Sequence, residues 1–353
     1  MFSDKIIRWY EENQRQLPWR NIRDPYKIWL SEIILQQTRI EQGRAYYDRF
    51  VDAFPTVDAL AEASEEEVLK MWQGLGYYSR ARNLYAAARF IVSQLHGRFP
   101  TTYEGVLGLK GVGRYTAAAI VSFAYRMPYP VIDGNVYRLV ARLFGISTPI
   151  GTNSAYKEFE QRLFVLIDKQ RPDLFNQAMM DFGSTFCKPS GCDCEGCIFS
   201  RECVAWQTGR VNSLPVRGKL VKTKERYFLF LDIRWNTGTR SYTVLQQRNE
   251  QDIWKGLFQF PLIETSVAAD SSTTSTLISE WLAHHLGVSS FLVGDVWQAT
   301  HKLTHQTLHA TFFPIVLSET PIVSPTSLLI LPSNKLNTYP IPRLIERYLL
   351  QKA

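Results

Sequence analysis

The 353-residue chain lacks any run approaching the ~18 to 20 uninterrupted apolar residues that a membrane span requires. Its first ten residues place Asp4, Lys5 and Arg8 where a secretory signal would be apolar. Both absences predict a cytoplasmic protein outside the membrane. Low-complexity tracts and internal repeats are missing too, and SSTTST at 271–276 reads as a loop or a helix cap. Cysteine is absent from every position outside 187–203, where all five stand. This excludes a disulfide framework spread over the fold, and in a reducing compartment such crowding reads as a metal site. Acidic residues are the minority among charges, 33 against 40 basic ones, and residues 1–225 hold +6 of the net charge of +7. A basic first part beside a nearly neutral second part points to a polyanion surface, with nucleic acid the plausible partner. From charge alone, ordinary surface lysines and arginines explain the balance equally well.

What is present is ample core material: 45% hydrophobic and 13% aromatic residues, enough to offset the ordering entropy of a chain long enough for about two domains. From Asp4 to about Phe182 the apolar residues recur at helical spacing, as in IWLSEIILQQTRI, YTAAAIVSFAY and VYRLVARLF, with glycines and prolines between the runs. This predicts an all-helical domain over 1–208, including the cysteine loop 187–203. Residues 209–226, with Gly, Pro and repeated Lys/Arg and no period, read as a linker. From 227 to 353 the runs YFLFLDIRW, SYTVLQQR and ATFFPIVL alternate with helical TLISEWLAHHLG and IPRLIERYLLQ, which predicts an α+β domain. The fold class is therefore multidomain.

Chemistry concentrates at a few places. In LKGVGRYTAAAI, Gly111 and Gly113 sit between two helical runs, where backbone amides at a helix start can hold a phosphate without reading a base. Gly-x-Gly is also a common helix-to-helix turn. No strand precedes it, which disfavours a dinucleotide site. Asp133 lies 20 residues beyond Gly113 before another helical run, so it reads either as an N-cap or as a carboxylate fixed near that clamp. Glu32 stands among Leu30, Ile33 and Ile34, a setting that raises a carboxyl pKa and keeps a proton available.

Taken together, Gly111-Val112-Gly113, Asp133 and Cys187-x6-Cys194-x2-Cys197-x5-Cys203 resemble the helix-hairpin-helix DNA glycosylases of the endonuclease III superfamily. That resemblance implies one [4Fe-4S] cluster on these four cysteines, with Cys192 a spare thiol; a zinc site more often pairs two C-x2-C units, and only one is present. The segments LPWR, DPYKIWLSEIILQQTRIE and WQGLGYYSRARNL are similar to the adenine-specific mismatch glycosylases of MutY type over nearly all of the first 205 residues. In that family Glu32 would protonate adenine and Asp133 would stabilise the oxocarbenium-like sugar or attack it. Tyr115 stands where lyase-competent relatives carry a Schiff-base lysine, which implies base release without strand cleavage. Gln37, Thr38, Leu75 and Tyr77 match the family's intercalating and partner-contacting positions. Arg15, Arg20, Arg80, Lys188 and Asn135 are further candidate DNA contacts, and Lys110 replaces a more frequent proline in the hairpin.

The second domain resembles the Nudix-like domain such glycosylases append to recognise 8-oxoguanine, on WKGLFQFP (254–261) and HKLTHQTLHA (301–310). TLISEWLAHHLG offers only Glu280 where a working Nudix hydrolase has several acidic residues, which argues against nucleotide pyrophosphohydrolysis. The family's usual Phe-Ser-His is here Leu303-Thr304-His305, with Thr304 and His305 the candidate lesion contacts. The resemblance implies a monomer acting on duplex DNA that holds adenine opposite 8-oxoguanine or guanine. Three other readings compete: a bifunctional glycosylase and lyase, a non-catalytic iron-sulfur DNA-binding protein, and a Nudix hydrolase. Tyr115, the pair Glu32 and Asp133, and the missing glutamates argue against them in turn.

Overall fold

A computed structural model describes residues 1–218, 223–249, 251–322 and 327–352. The chain divides into two compact units, Met1–Glu62 with Asn83–Leu220, and Ala63–Arg82 with Val221–Ala353. Its helices are α1 (Phe2–Asn13), α2 (Pro25–Leu35), α3 (Ile40–Ala53), α4 (Val57–Glu62), α5 (Glu65–Met71) and α6 (Ser79–Leu95). They continue with α7 (Tyr103–Leu107), α8 (Arg114–Tyr125), α9 (Gly134–Phe144), α10 (Asn153–Leu166), α11 (Pro172–Asp181) and α12 (Val204–Gln207). A wider π-type turn, Phe182–Phe186, joins α11 to the cysteine loop.

In the first unit α2 is the central rod. Asp24 caps it by accepting from the Tyr26 and Lys27 amides at 2.9 and 3.3 Å, and Pro25 supplies the fixed φ of a first helical position. Residues Ile28 to Ile34 are all buried, so this helix has no solvent face. It packs on α3 and α8. A separate core joins Ile6, Ile7 and Tyr10 of α1 to Val136 and Leu139 of α9, Phe159 of α10 and Phe175 and Met179 of α11. Leu214 is buried in this core, with Val211 and Val216 against it, and Arg217 bridges to Ile150. The start of the expected linker 209–226 is thus packed, because its spaced apolar residues find an apolar surface. Its residues 219–222 lie outside the described residues.

The second unit is built on a mixed sheet of β1 (Lys224–Thr237), β2 (Arg240–Gln247), β3 (Phe258–Gln259), β4 (Leu262–Thr265), β5 (Phe291–Val293), β6 (Trp297–Lys302), β7 (Gln306–Leu317) and β8 (Leu328–Pro332). Its path runs β3-β2-β1-β7-β5, with β4 on β1, β6 on β7 and β8 on β2. β1 and β7 run parallel, with Phe230 opposite Phe312, and the other pairs are antiparallel. Alternation along β1 makes two cores. Phe228 and Phe230 meet Leu344, Ile345 and Tyr348 of α14 (Arg343–Lys352), whereas Leu231 and Ile233 meet Ile278, Leu282 and Leu286 of α13 (Ser271–Leu286). The SSTTST stretch is the first part of α13 rather than a loop. Asp270 caps it through the Thr273 amide at 2.8 Å, and the Ser275 and Thr276 hydroxyls fold back on the carbonyls of Ser271 and Ser272.

Candidate active site

One open pocket in the first unit gathers Glu32 from α2, Tyr115 from α8 and Asp133 and Asn135 from the start of α9. Arg15, Arg20, Thr38, Gln177, Met180 and Ser184 line it as well, around about 850 Å³ of empty space. Glu32 is 7% exposed. Burial among apolar neighbours lifts its carboxyl from 4.5 to about 7, and the charge of Asp133 pushes the same way. The Tyr115 hydroxyl, hydrogen-bonded to Glu32, and the more distant Arg20 pull it back without cancelling the burial. Near neutrality a large fraction of Glu32 therefore holds its proton. The Tyr115 hydroxyl also approaches the Met180 sulfur at 3.7 Å, and burial beside two carboxyls holds its phenol well above the usual value, so it stays neutral.

Asp133 is both a cap and a site residue. One carboxylate oxygen accepts from the Val136 amide at 2.7 Å and the other from the Asn135 side chain at 2.8 Å. Burial raises its pKa, while those hydrogen bonds and the Arg138 charge work against the rise by favouring the anion. The two carboxyls therefore sit in unlike settings: Glu32 has apolar neighbours and one hydroxyl, Asp133 has amide donors and a helix start. Gly183 lies so close to Asn135 that an added Cβ would come within 2.8 Å of its carbonyl oxygen.

Arg15 and Arg20, expected as DNA contacts, line the pocket and are both engaged within the protein. Both guanidiniums grip the buried Asp181 of α11, Arg20 with two hydrogen bonds of 2.5 Å, and Asp181 is held below the usual carboxylate range. A charge buried to 1% exposure needs such partners, so Asp181 captures the two cations. Gln37 is exposed with φ +55° in the turn after α2, and the Thr38 amide donates to the Leu35 carbonyl at 3.1 Å. At the hairpin, Gly111 has φ +80° and an added Cβ would stand 2.6 Å from Asn83, so a side chain there is excluded twice over. Gly113 is the N-cap of α8, exposed and without side-chain capping, which leaves the amides of that helix start for a phosphate.

The five thiols border one cavity with Arg142. The Arg142 guanidinium donates to the Cys187 sulfur at 3.4 Å and to the carbonyls of Lys188 and Pro189, and the Phe199 amide donates to the Cys197 sulfur at 3.4 Å. Cys192, expected as a spare, faces the same space, 3.6 Å from the Cys194 sulfur. Arg138 bonds the Cys187 carbonyl and the Asn135 side chain, each at 2.8 Å. Lys188 is exposed.

In the second unit Leu75 is buried at 8% exposure, not displayed, while Tyr77 is 47% exposed with φ +48°. Arg80 lies over the rings of Trp72 and Tyr77 and donates to the Gly76 carbonyl at 3.2 Å, so it holds the loop from within. The Tyr77 hydroxyl is 2.7 Å from the Thr304 hydroxyl. Thr304 and His305 are both exposed, at the turn between β6 and β7.

Residues 30–167 match the family of HhH-GPD superfamily base excision DNA repair proteins, and residues 235–351 match the NUDIX domain. The adenine DNA glycosylase of Buchnera aphidicola from Schizaphis graminum is 32% identical over 331 residues, covering 90% of this chain and 88% of that protein. The chain belongs to the adenine DNA glycosylase family. It is a base-excision enzyme that hydrolyses N-glycosyl bonds. The Arabidopsis thaliana and human adenine DNA glycosylases are 36% and 38% identical, over 78% and 62% of this chain and 50% and 42% of their own lengths. A thermostable thymine-DNA glycosylase superposes with a TM-score of 0.55 at 29% identity, over 59% of this chain and 95% of that one. An endonuclease III–DNA complex, at 0.51 and 22%, shares the fold.

The residues that sequence reasoning missed are those that hold the family's site in shape. Gln177 lines the pocket, Asp181 holds Arg15 and Arg20 beside it, and Arg138 holds Asn135, and nothing in MMDFGSTF marks Asp181 as the partner of two arginines. Arg142 was equally silent, a basic residue in the last turn of a helix.

Proposed function

We propose that the enzyme excises adenine paired with 8-oxoguanine, or with guanine, from duplex DNA and leaves an intact abasic strand. One observation carries the reading: Glu32 is buried with its pKa near 7 in the same pocket as Asp133, while Tyr115 occupies the third corner. Adenine within a duplex is out of reach, so it is flipped into the pocket. Glu32 donates its proton to a ring nitrogen, which makes the base a neutral leaving group. Asp133, held by amide donors in a fixed orientation, faces the cationic sugar that develops and either stabilises it or bonds to it until water attacks. The neutral phenol of Tyr115 orients the Glu32 carboxyl and offers no amine for a Schiff base.

The donor set at the cysteine loop fits one [4Fe-4S] cluster on Cys187, Cys194, Cys197 and Cys203. A guanidinium and an amide donate to the sulfurs of Cys187 and Cys197, and the five thiols surround a cavity. Among the described residues no group of three metal-binding side chains converges on a single ion. Such a cluster, when bound, would staple the loop. The second domain adds lesion recognition: Tyr77, Thr304 and His305 are exposed, with the Tyr77 and Thr304 hydroxyls 2.7 Å apart, and their polar groups suit N7 and O8 of 8-oxoguanine. In the first unit, Gln37 and Thr38 are the residues assigned to the gap left by adenine. Helix α13 carries only Glu280 as a ligand for a metal-pyrophosphate, so hydrolysis of free nucleotides finds no support.

The test is a glycosylase assay on A:8-oxoG, A:G and A:C duplexes, with and without alkali, together with borohydride trapping. Alkali-dependent cleavage on the first two substrates and no trapped adduct are expected. An adduct with the wild-type protein would mean that a lysine acts as nucleophile and would overturn the monofunctional reading.

A further inference from the structure

Beside the Thr304-His305 turn lies a charge cluster around the buried Arg226, with Asp252 half-buried and Glu264 exposed, which has no part in the chemistry above. Arg226, 8% exposed on β1, has all five of its N–H groups engaged. Its Nε and Nη2 donate to the Glu264 carboxylate at 2.7 and 2.6 Å, and Nη1 and Nη2 donate to the Asp252 carboxylate at 2.9 and 2.8 Å. The fifth N–H goes to the Gln306 side-chain oxygen at 3.0 Å. Arg248 braces Asp252 from the other side at 2.6 Å and also binds the Ile253 carbonyl and the Gln259 side chain. The Phe228 ring closes the cluster, 4.9 Å from the Arg226 guanidinium carbon.

Two opposed carboxylates lock the plane of the Arg226 fork, so the direction of its last N–H is fixed. That N–H holds Gln306, and Gln306 closes the turn: its carbonyl accepts from the Leu303 amide at 2.7 Å, while the Lys224 amide donates to the His305 carbonyl at 3.0 Å. Leu303 packs against the apolar core on the other side of the turn. Thr304 thus stands between a residue anchored by packing and a residue anchored by charge. Its hydroxyl meets Tyr77 with no hydrogen bond of its own to the turn beneath among the contacts of the described residues.

We propose that Arg226 and Gln306 are positioning residues for lesion discrimination, aiming the Thr304 hydroxyl at the 8-oxoguanine edge through a rigid ionic platform. This rests on the reading of Thr304 as a lesion contact, and the experiment separates the two. Full-length protein is assayed in single turnover on A:8-oxoG and A:G, with Gln306→Leu, Gln306→Glu, Thr304→Val and the double variant Gln306→Leu/Thr304→Val. Leucine is close in size and removes the acceptor while the four carboxylate bonds to Arg226 remain, so the fold is kept where Arg226→Lys risks losing it. Glutamate keeps the acceptor. The A:8-oxoG to A:G rate ratio is expected to fall by about 3- to 10-fold in Gln306→Leu, the scale of one hydrogen bond, and to recover in Gln306→Glu. In the double variant the ratio is expected to fall no further than in Thr304→Val, because both changes remove the same contact. A ratio unchanged in Gln306→Leu, a loss that Glu does not restore, or losses that add would each overturn the proposal. A ratio unchanged in Thr304→Val would overturn the lesion-contact reading itself.

Discussion

Glu32 costs the folded protein stability, and the cost has a calculable pH dependence. Its carboxyl titrates at about 7 when folded, against an ordinary value of 4.5. A carboxyl raised on folding contributes stability that is present below its unfolded pKa and lost as pH rises through the folded one. The window is therefore pH 4.5 to 7. At 1.36 kcal/mol per unit, this rise corresponds to about 3 kcal/mol of destabilisation at pH 8 and under about 1 at pH 5. Glu32→Gln removes the ionisable proton at nearly constant shape, and its amide still accepts from the Tyr115 hydroxyl. The variant is thus expected to be more stable than wild type at pH 8, by several degrees in melting temperature, and nearly equal to it at pH 5. It is also expected to release no adenine, while binding duplex DNA as the wild type does. The assay is thermal or urea unfolding of both proteins at half-unit steps from pH 5 to 8.5, with single-turnover excision on the same samples. Wild-type excision should fall as pH rises past about 7, as the acid loses its proton. Equal stabilities across the range, or turnover retained in Glu32→Gln, would refute both the buried-acid argument and its catalytic role.

Two further outcomes follow from the same geometry. Asp133→Asn keeps the helix cap but loses the anion, so adenine release should fall by about 100-fold or more while melting shifts little, and near wild-type turnover would remove Asp133 from the chemistry. Anaerobically prepared protein should show the broad visible absorbance of an iron-sulfur cluster, retained in Cys192→Ser and lost in Cys197→Ser; zinc without iron on metal analysis would overturn that ligand set.

Features expressed by neighbours in the chain were legible in the sequence. The burial of Glu32 follows from its neighbours Leu30, Ile33 and Ile34, the helix cap of Asp133 from its place before a helical run, and the gathering of the cysteines from their crowding, while the chemical roles expected of them came from the family resemblance. What stayed hidden depends on contacts between distant residues. The ion pairs of Asp181 with Arg15 and Arg20 span 166 and 161 positions, so the arginines read as free cations when they are not. Leu75, matched by resemblance to an intercalating or partner-contacting position, sits in a glycine-flanked loop and is buried. The segment Ala63–Arg82 lies in a run of helices but belongs to the sheet-containing unit, where Lys70 reaches the Tyr339 carbonyl at 3.1 Å and Tyr78 that of Ile341 at 3.2 Å. Residues 271–276 read as a loop or a helix cap by composition, yet they form the first turns of α13 behind the Asp270 cap, their Ser275 and Thr276 hydroxyls turned back onto helix carbonyls.

The grip of Asp181 on Arg20 explains how an acid survives beside a cation. A full positive charge facing Glu32 in a water-poor pocket would favour the carboxylate by several kcal/mol at an effective dielectric near 20, enough to erase a rise of this size. Arg20 instead spends its guanidinium on Asp181, with Arg15 on the same carboxylate, so that its effect on Glu32 is the smallest of the influences on that group and burial stays the largest. Asp133 gains from the reverse arrangement. It takes two hydrogen bonds at a helix start, and the Arg138 charge favours its anion rather than its acid. Burial raises both carboxyls, but the groups that oppose the rise differ: one hydroxyl and a distant, engaged arginine at Glu32, amide donors and the Arg138 charge at Asp133. The unlike settings of the two carboxyls are therefore a property of Asp181, Arg20, Asn135 and Arg138 as much as of Glu32 and Asp133 themselves, and the proposed division of roles rests on that difference.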